Sequence, residues 1–133
     1  MARVFIFDND PNTAMTIAFA LESQGHEVLT NIDTDEAGDY HTNLDTSKVI
    51  RKMLKWEPTP DVIIIECLDV DSEKFLEILA TTNVQKVTVI AMTHRYPNNT
   101  KLQRLMKDYG VSCMEKPLNI AKFVESVEEL QSA

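Results

Sequence analysis

Four short segments of this chain place residues capable of chemistry just beyond apolar runs. Asp8-Asn9-Asp10 follows the run from Val4 to Phe7, and Glu66 follows Val62 to Ile65. Thr93 follows Val87 to Met92, and Lys116-Pro117 comes shortly after Val111 to Met114. Together they supply carboxylates, an amide, a hydroxyl and an ammonium, which suits a small charged ligand better than an apolar one. Each of them alone would be an ordinary solvated surface group. Their weight comes from standing at the same position relative to a strand, in four separate segments.

The runs that must position them are short, rich in Val and Ile, and mostly unalternated, as expected of strands buried on both faces. A further run, Val28 to Leu29, lies between the first and third of these. Amphipathic stretches separate them. Asp10 followed by Pro11 predicts an N-cap with proline in the first helical turn, and Gly25 predicts that helix's end. Its inward face is Ala14, Met15, Ile17, Ala18 and Leu21. A second helix is expected from about Thr46 to Trp56 with Val49, Ile50, Met53 and Leu54 inward, and a third from Ser72 through Phe75, Leu76 and Leu79. A fourth begins near Asn98 or Asn99, carries Leu102, Leu105 and Met106, and stops at Gly110. The last starts at Asn119 and buries Ile120, Phe123, Val124, Val127 and Leu130.

Five strands alternating with five helices predict an α/β three-layer sandwich around a parallel sheet. For this size the flavodoxin-like strand order 2-1-3-4-5 is the natural choice, and ligands then bind at the carboxyl edge of the strands. That edge is where the four segments converge. Asp33 to Asp45 is acidic and aperiodic, contains Gly38, Tyr40 and His41, and reads as an extended surface loop between the second strand and second helix.

At 133 residues the chain suits one domain, 1–133, with one core. Its 44% apolar and 26% charged content is ordinary for a globular protein. A formal charge of −8 argues against general nucleic-acid binding, which needs clustered Lys and Arg. No apolar run approaches the ~18 residues that span a bilayer, so no membrane role is expected. Met1 to Phe7 lacks a secretory h-region, so the expected location is the cytoplasm. Cys67 and Cys113 stand in or beside apolar runs without ligand-type spacing and read as reduced, small core residues.

The four segments, taken together, resemble the receiver domains of two-component response regulators. Phe7-Asp8-Asn9-Asp10-Pro11 matches the family's acidic pair after strand one. Pro60-Asp61 leading to Glu66 matches the acceptor strand, Met92-Thr93 the hydroxyl after strand four, and Lys116-Pro117 the lysine–proline pair after strand five. The likeness covers nearly the whole chain and implies the CheY-like version of the sandwich. It also implies a metal site at Asp8, Asn9 and Glu66, because hard oxygen ligands hold the Mg²⁺ that phosphoryl transfer requires. Thr93 and Lys116 would face the phosphoryl oxygens.

Several positions depart from the family. Asn9 replaces the second acid with a neutral amide of weaker electrostatic pull, which Asp10 can partly offset. Glu66 stands where the family has Asp, and its extra carbon moves the carboxylate by about 1.5 Å. A misplacement of about 1 Å can cost roughly a hundredfold in rate. The longer arm reaches toward Thr93 or Lys116, where a phosphoryl oxygen would sit, so Glu66 reads either as a mimic of the phosphorylated state or as a decayed acceptor. His94 crowds the same access, Cys113 occupies the place of the aromatic switch residue, and Asp69 to Lys74 lacks the usual proline and glycine.

The expectation is therefore a pseudo-receiver, not an enzyme, that works through protein contact independently of phosphorylation. No cofactor is expected beyond a weakly held Mg²⁺. The partner is expected to be a signalling protein, a kinase or a downstream effector, docking on about Asn98 to Leu130, where Tyr96, Arg104, Lys107 and Tyr109 are candidate exposed residues. Homodimerisation stays open. With no effector segment legible in this sequence, the output is expected to pass through another chain.

Three alternatives remain. One is a phosphorylatable, Mg²⁺-dependent regulator with a weakened site. Another is a phosphatase resembling the haloacid-dehalogenase type, with Asp8 and Asp10 as nucleophile and general acid, although that family's last acidic motif is missing. The third, a flavodoxin-like cofactor binder, is opposed by the acidic Asp8-Asn9-Asp10-Pro11 loop, which repels phosphate.

Overall fold

The computed structural model describes residues 2–56, 59–66, 70–80, 87–93, 103–104, 107–108, 110, 112–115, 125 and 129. Along these run strand β1 (Arg3–Phe7), helix α1 (Pro11–Ser23), β2 (Glu27–Thr30), β3 (Ile32–Thr34) and β4 (Tyr40–Thr42). Then come α2 (Thr46–Leu54), β5 (Val62–Glu66), α3 (Val70–Ala80), β6 (Thr88–Thr93) and β7 (Ser112–Glu115).

The main sheet has the order β2-β1-β5-β6-β7, with parallel pairing throughout. Side chains alternate between its faces, so unbroken apolar strands feed two cores at once. On one side Val4, Ile6, Val62, Ile64 and Ile90 pack against Ala14, Ile17, Ala18 and Leu21 of α1. On the other, Phe5, Phe7, Ile63, Ile65, Val89 and Ala91 pack against α2 through Val49, Ile50 and Met53, and against α3 through Phe75, Leu76 and Leu79. Phe75 stacks on Phe7 with ring centroids 4.6 Å apart. These three layers are the sandwich that the periodicity predicts.

The α1 boundaries follow the local chemistry. The Asp10 side chain accepts the Asn12 N–H, Pro11 opens the first turn, and Gly25 takes φ of 90° just beyond the end. That left-handed conformation is one that a Cβ disfavours. The α2 helix begins at a similar cap, with Asp45 accepting the Lys48 N–H.

Three expectations need correction. The stretch from Asp33 to Asp45 is no extended loop: β3 and β4 form an antiparallel hairpin pairing Ile32 with Thr42, Asp33 with His41 and Thr34 with Tyr40. Thr and Tyr favour strands, and a five-residue connection containing glycine closes hairpins. Only Ile32 of the hairpin is a buried apolar residue, so the usual hydrophobic alternation is missing. Leu54 is not inward but 36% exposed, and α2 ends there instead of continuing to Trp56. Three helices, not five, are delineated among the described residues. Gln103, Arg104, Lys107, Asp108, Glu125 and Glu129 are helical, while the rest of the expected fourth and fifth helices lies outside the described residues.

Candidate functional site

Parallel pairing brings the carboxyl ends of β1, β5, β6 and β7 to one edge. Phe7 pairs with Ile65, so Asp8 and Glu66 are the next residues on neighbouring strands. Glu66 in turn pairs with Met92, and Thr93 with Glu115, one residue before Lys116. The backbone thus gathers Asp8, Glu66 and Thr93 within three adjacent strands. Lys116 itself lies outside the described residues, as do Cys67, His94, Tyr96 and Tyr109.

Asp8 is fully buried. Withdrawing a carboxylate from water is costly, and stability alone does not favour it. Its Oδ1 accepts the Asp10 N–H at 2.9 Å, which turns the chain sharply into α1. The main chain at Asp8 is held by a residue that the sequence did not single out. The Asn31 side chain accepts the Asp8 N–H at 2.9 Å and donates to the Asp8 carbonyl at 2.8 Å. It also donates to the Asn43 carbonyl at 3.0 Å. Asn31 is itself buried, and its backbone N–H donates to the Ile6 carbonyl at 3.1 Å. The available signal was its position: it stands just beyond β2, at the same sheet edge as Asp8.

The other two members of the acidic loop differ from Asp8. Asn9 and Asp10 are exposed. Asp10 spends its oxygens on α1, one accepting the Asn12 N–H at 3.0 Å and the other the Thr13 hydroxyl at 2.8 Å. A carboxylate holding a helix cap is poorly placed to replace a metal-ligating acid. Asp8 is the one buried carboxylate of the loop, and the position beside it is a neutral, exposed amide.

The face expected to meet a partner is described at few positions. Arg104 and Lys107 are exposed there, as expected.

No protein-family model matches the chain, and no curated protein matches it by sequence. Solved structures do. Chemotaxis protein CheY4 of Vibrio cholerae superposes with a TM-score of 0.71 at 18% identity, covering 97% of this chain and 98% of that one. A two-component response regulator from Clostridium difficile gives 0.70 at 17%, covering 99% and 97%. A CheY-like response regulator receiver domain protein from Methanospirillum hungatei gives 0.70 at 16%, covering 93% and 89%. Strand order, layering and these superpositions agree: the chain has the CheY-like α/β fold of response-regulator receiver domains.

Proposed function

We propose that this chain is a pseudo-receiver in two-component-type signalling, a protein-interaction module in the cytoplasm whose output does not depend on phosphoryl transfer to Glu66. Support comes from the edge that a receiver uses for chemistry. The observation that carries the reading is the juxtaposition of buried Asp8 with Glu66 on the adjacent strand, and this reading takes Glu66 as the acceptor-equivalent residue. A phosphoryl acceptor must meet its donor in line, and a carboxylate displaced by one carbon loses that geometry. The metal that would neutralise the crowded charge is also weakly served, because Asn9 is neutral and Asp10 is engaged at the α1 cap. The role assigned to Thr93 and Lys116 in this reading is to hold the Glu66 carboxylate, with no phosphoryl group to receive.

On this reading the protein is not an enzyme and needs no cofactor. Its partner is a signalling kinase or effector that docks on the face from about Asn98 to Leu130, where Arg104 and Lys107 are exposed. Incubation with acetyl phosphate and Mg²⁺, followed by intact-mass measurement, tests the central part. The expected spectrum is that of the unmodified protein, and a stoichiometric phosphoryl adduct on Glu66 would overturn the reading.

A further inference from the structure

The β3–β4 hairpin and the Asp8 loop meet at one side chain. Asn31 occupies the hairpin's root: its carbonyl accepts the Asn43 N–H at 2.8 Å, and its amide donates to the Asn43 carbonyl at 3.0 Å. The same amide group grips both backbone polar groups of Asp8. Beside it, Ile32 is buried in the α1-side core, and the Thr30 hydroxyl accepts the Ile32 N–H. Beyond that root the hairpin is exposed, and its far end is closed by Asp35. One Asp35 oxygen accepts the N–H groups of Ala37 and Asp39, each at 2.9 Å, and the other contacts His41 Nε2 at 2.6 Å. Gly38 takes φ of 87° within this turn.

We propose that Asn31 is a positioning residue that couples the hairpin to the Asp8 pocket, so that loosening one loosens the other. A planar amide cannot rotate to follow a displaced Asn43 carbonyl without also tilting its bonds to Asp8, since all three share one rigid group. The coupling is reciprocal by thermodynamic linkage: a partner that holds the hairpin also fixes the Asp8 backbone, and an altered pocket changes the hairpin. The inference goes beyond the proposed function and stands whether or not Glu66 accepts a phosphoryl group.

Amide hydrogen exchange, followed residue by residue by NMR, tests it. In the otherwise native chain, Asp35→Ala opens the hairpin turn about 30 residues away in sequence. It is expected to speed exchange at the Asp8 and Asp10 amides about fivefold or more, the lower range of site-to-site coupling, while the Leu21 amide in α1 stays unchanged. In an Asn31→Ala background the same Asp35→Ala change is expected to leave Asp8 and Asp10 exchange unaltered, because the link is already cut. Asn31→Ser, which keeps a short polar group too far from Asn43 to bridge, serves if the alanine variant does not fold and is expected to behave alike. General destabilisation would move Leu21 together with the loop amides. The proposal is overturned if Asp35→Ala leaves Asp8 and Asp10 exchange unchanged in the native background. It is equally overturned if the change there is accompanied by Leu21, or persists without the Asn31 amide.

Discussion

Between the first strand and the first helix, the Asp8 carboxylate is withdrawn wholly from solvent, whereas between the second strand and second helix Asp33, Asp35, Glu36 and Asp39 all remain in it. Both segments are acidic and both border the same sheet edge, yet they meet the cost of their charge differently. In the hairpin the carboxylates stay hydrated, and Asp35 serves the backbone by closing a turn. In the β1–α1 loop the carboxylate is buried, with the Asp10 N–H donating to one of its oxygens while Asn31 holds the Asp8 main chain. Local composition does not distinguish the two, and burial does. A carboxylate kept buried against the interest of stability marks a site, while exposed ones that bond their own turn mark structure.

Removing the Asn31 amide breaks the comparison most severely. Asn31→Ala deletes three hydrogen bonds and leaves the Asp8 backbone groups without that partner. A loss of about 3 kcal/mol in a urea melt is expected, since stranding buried polar groups costs roughly 1–3 kcal/mol each and partial relaxation recovers some of it. A cost under about 0.5 kcal/mol, the usual scale of a plain surface substitution, would mean that the clamp is not structural.

Asp10→Ala sharpens the division of labour within the acidic loop. With its cap bonds to Asn12 and Thr13 gone, α1 should lose about 1 kcal/mol, read as a lowered melting midpoint. If Asp10 were instead held in place by a bound cation, the loss would grow markedly when Mg²⁺ is present during the melt. It is expected to be the same with and without the ion.

The smallest effect lies in the hairpin and depends on pH. The hydrogen bond with His41 is the main influence holding the Asp35 carboxyl below its ordinary value of 3.8, and the Asp39 N–H helps. The same contact with Asp35 is the main cause raising His41 above its ordinary value of 6.5. The contribution from His41 is therefore fully present below pH 6.5 and is lost as pH rises through its elevated folded value. That from Asp35 is fully present above 3.8 and is lost as pH falls through its depressed value. The hairpin should be tightest between those limits. Both groups are exposed, so salt near 1 M should shrink the effect. Titration of the His41 ring and the Gly38 amide by NMR checks this, with a His41 midpoint above 6.5 at low salt and no alkaline transition at Gly38 in His41→Ala.

Much of the sandwich was legible because β1, β5 and β6 are buried on both faces, which leaves no polar interruption in their sequences. The α1 helix was readable from Asp10-Pro11 and Gly25, since caps and left-handed turns are local chemistry. The hairpin was not, because it is held by polar turn bonds and backbone pairing with one apolar anchor, Ile32. The convergence of Asp8, Glu66 and Thr93 was foreseeable from strand ends alone, and the backbone register brings them together. The Asn31 clamp was hidden, because its partners at Asp8 are 23 residues away and an Asn after a strand reads as a turn. The engagement of Asp10 at the helix cap was readable, but it weighs against the metal-assisting role also considered for that residue.

The account rests on Glu66 and Asn9 closing the acceptor site to a phosphoryl group, and one binding measurement addresses that directly. Beryllofluoride with Mg²⁺ can be titrated into the native chain and into the double variant Asn9→Asp/Glu66→Asp, with the thermal midpoint as readout, since a ligand that binds only the folded state raises it. The native protein should show no shift and the double variant a clear upward one. An equal upward shift in the native protein would contradict the account.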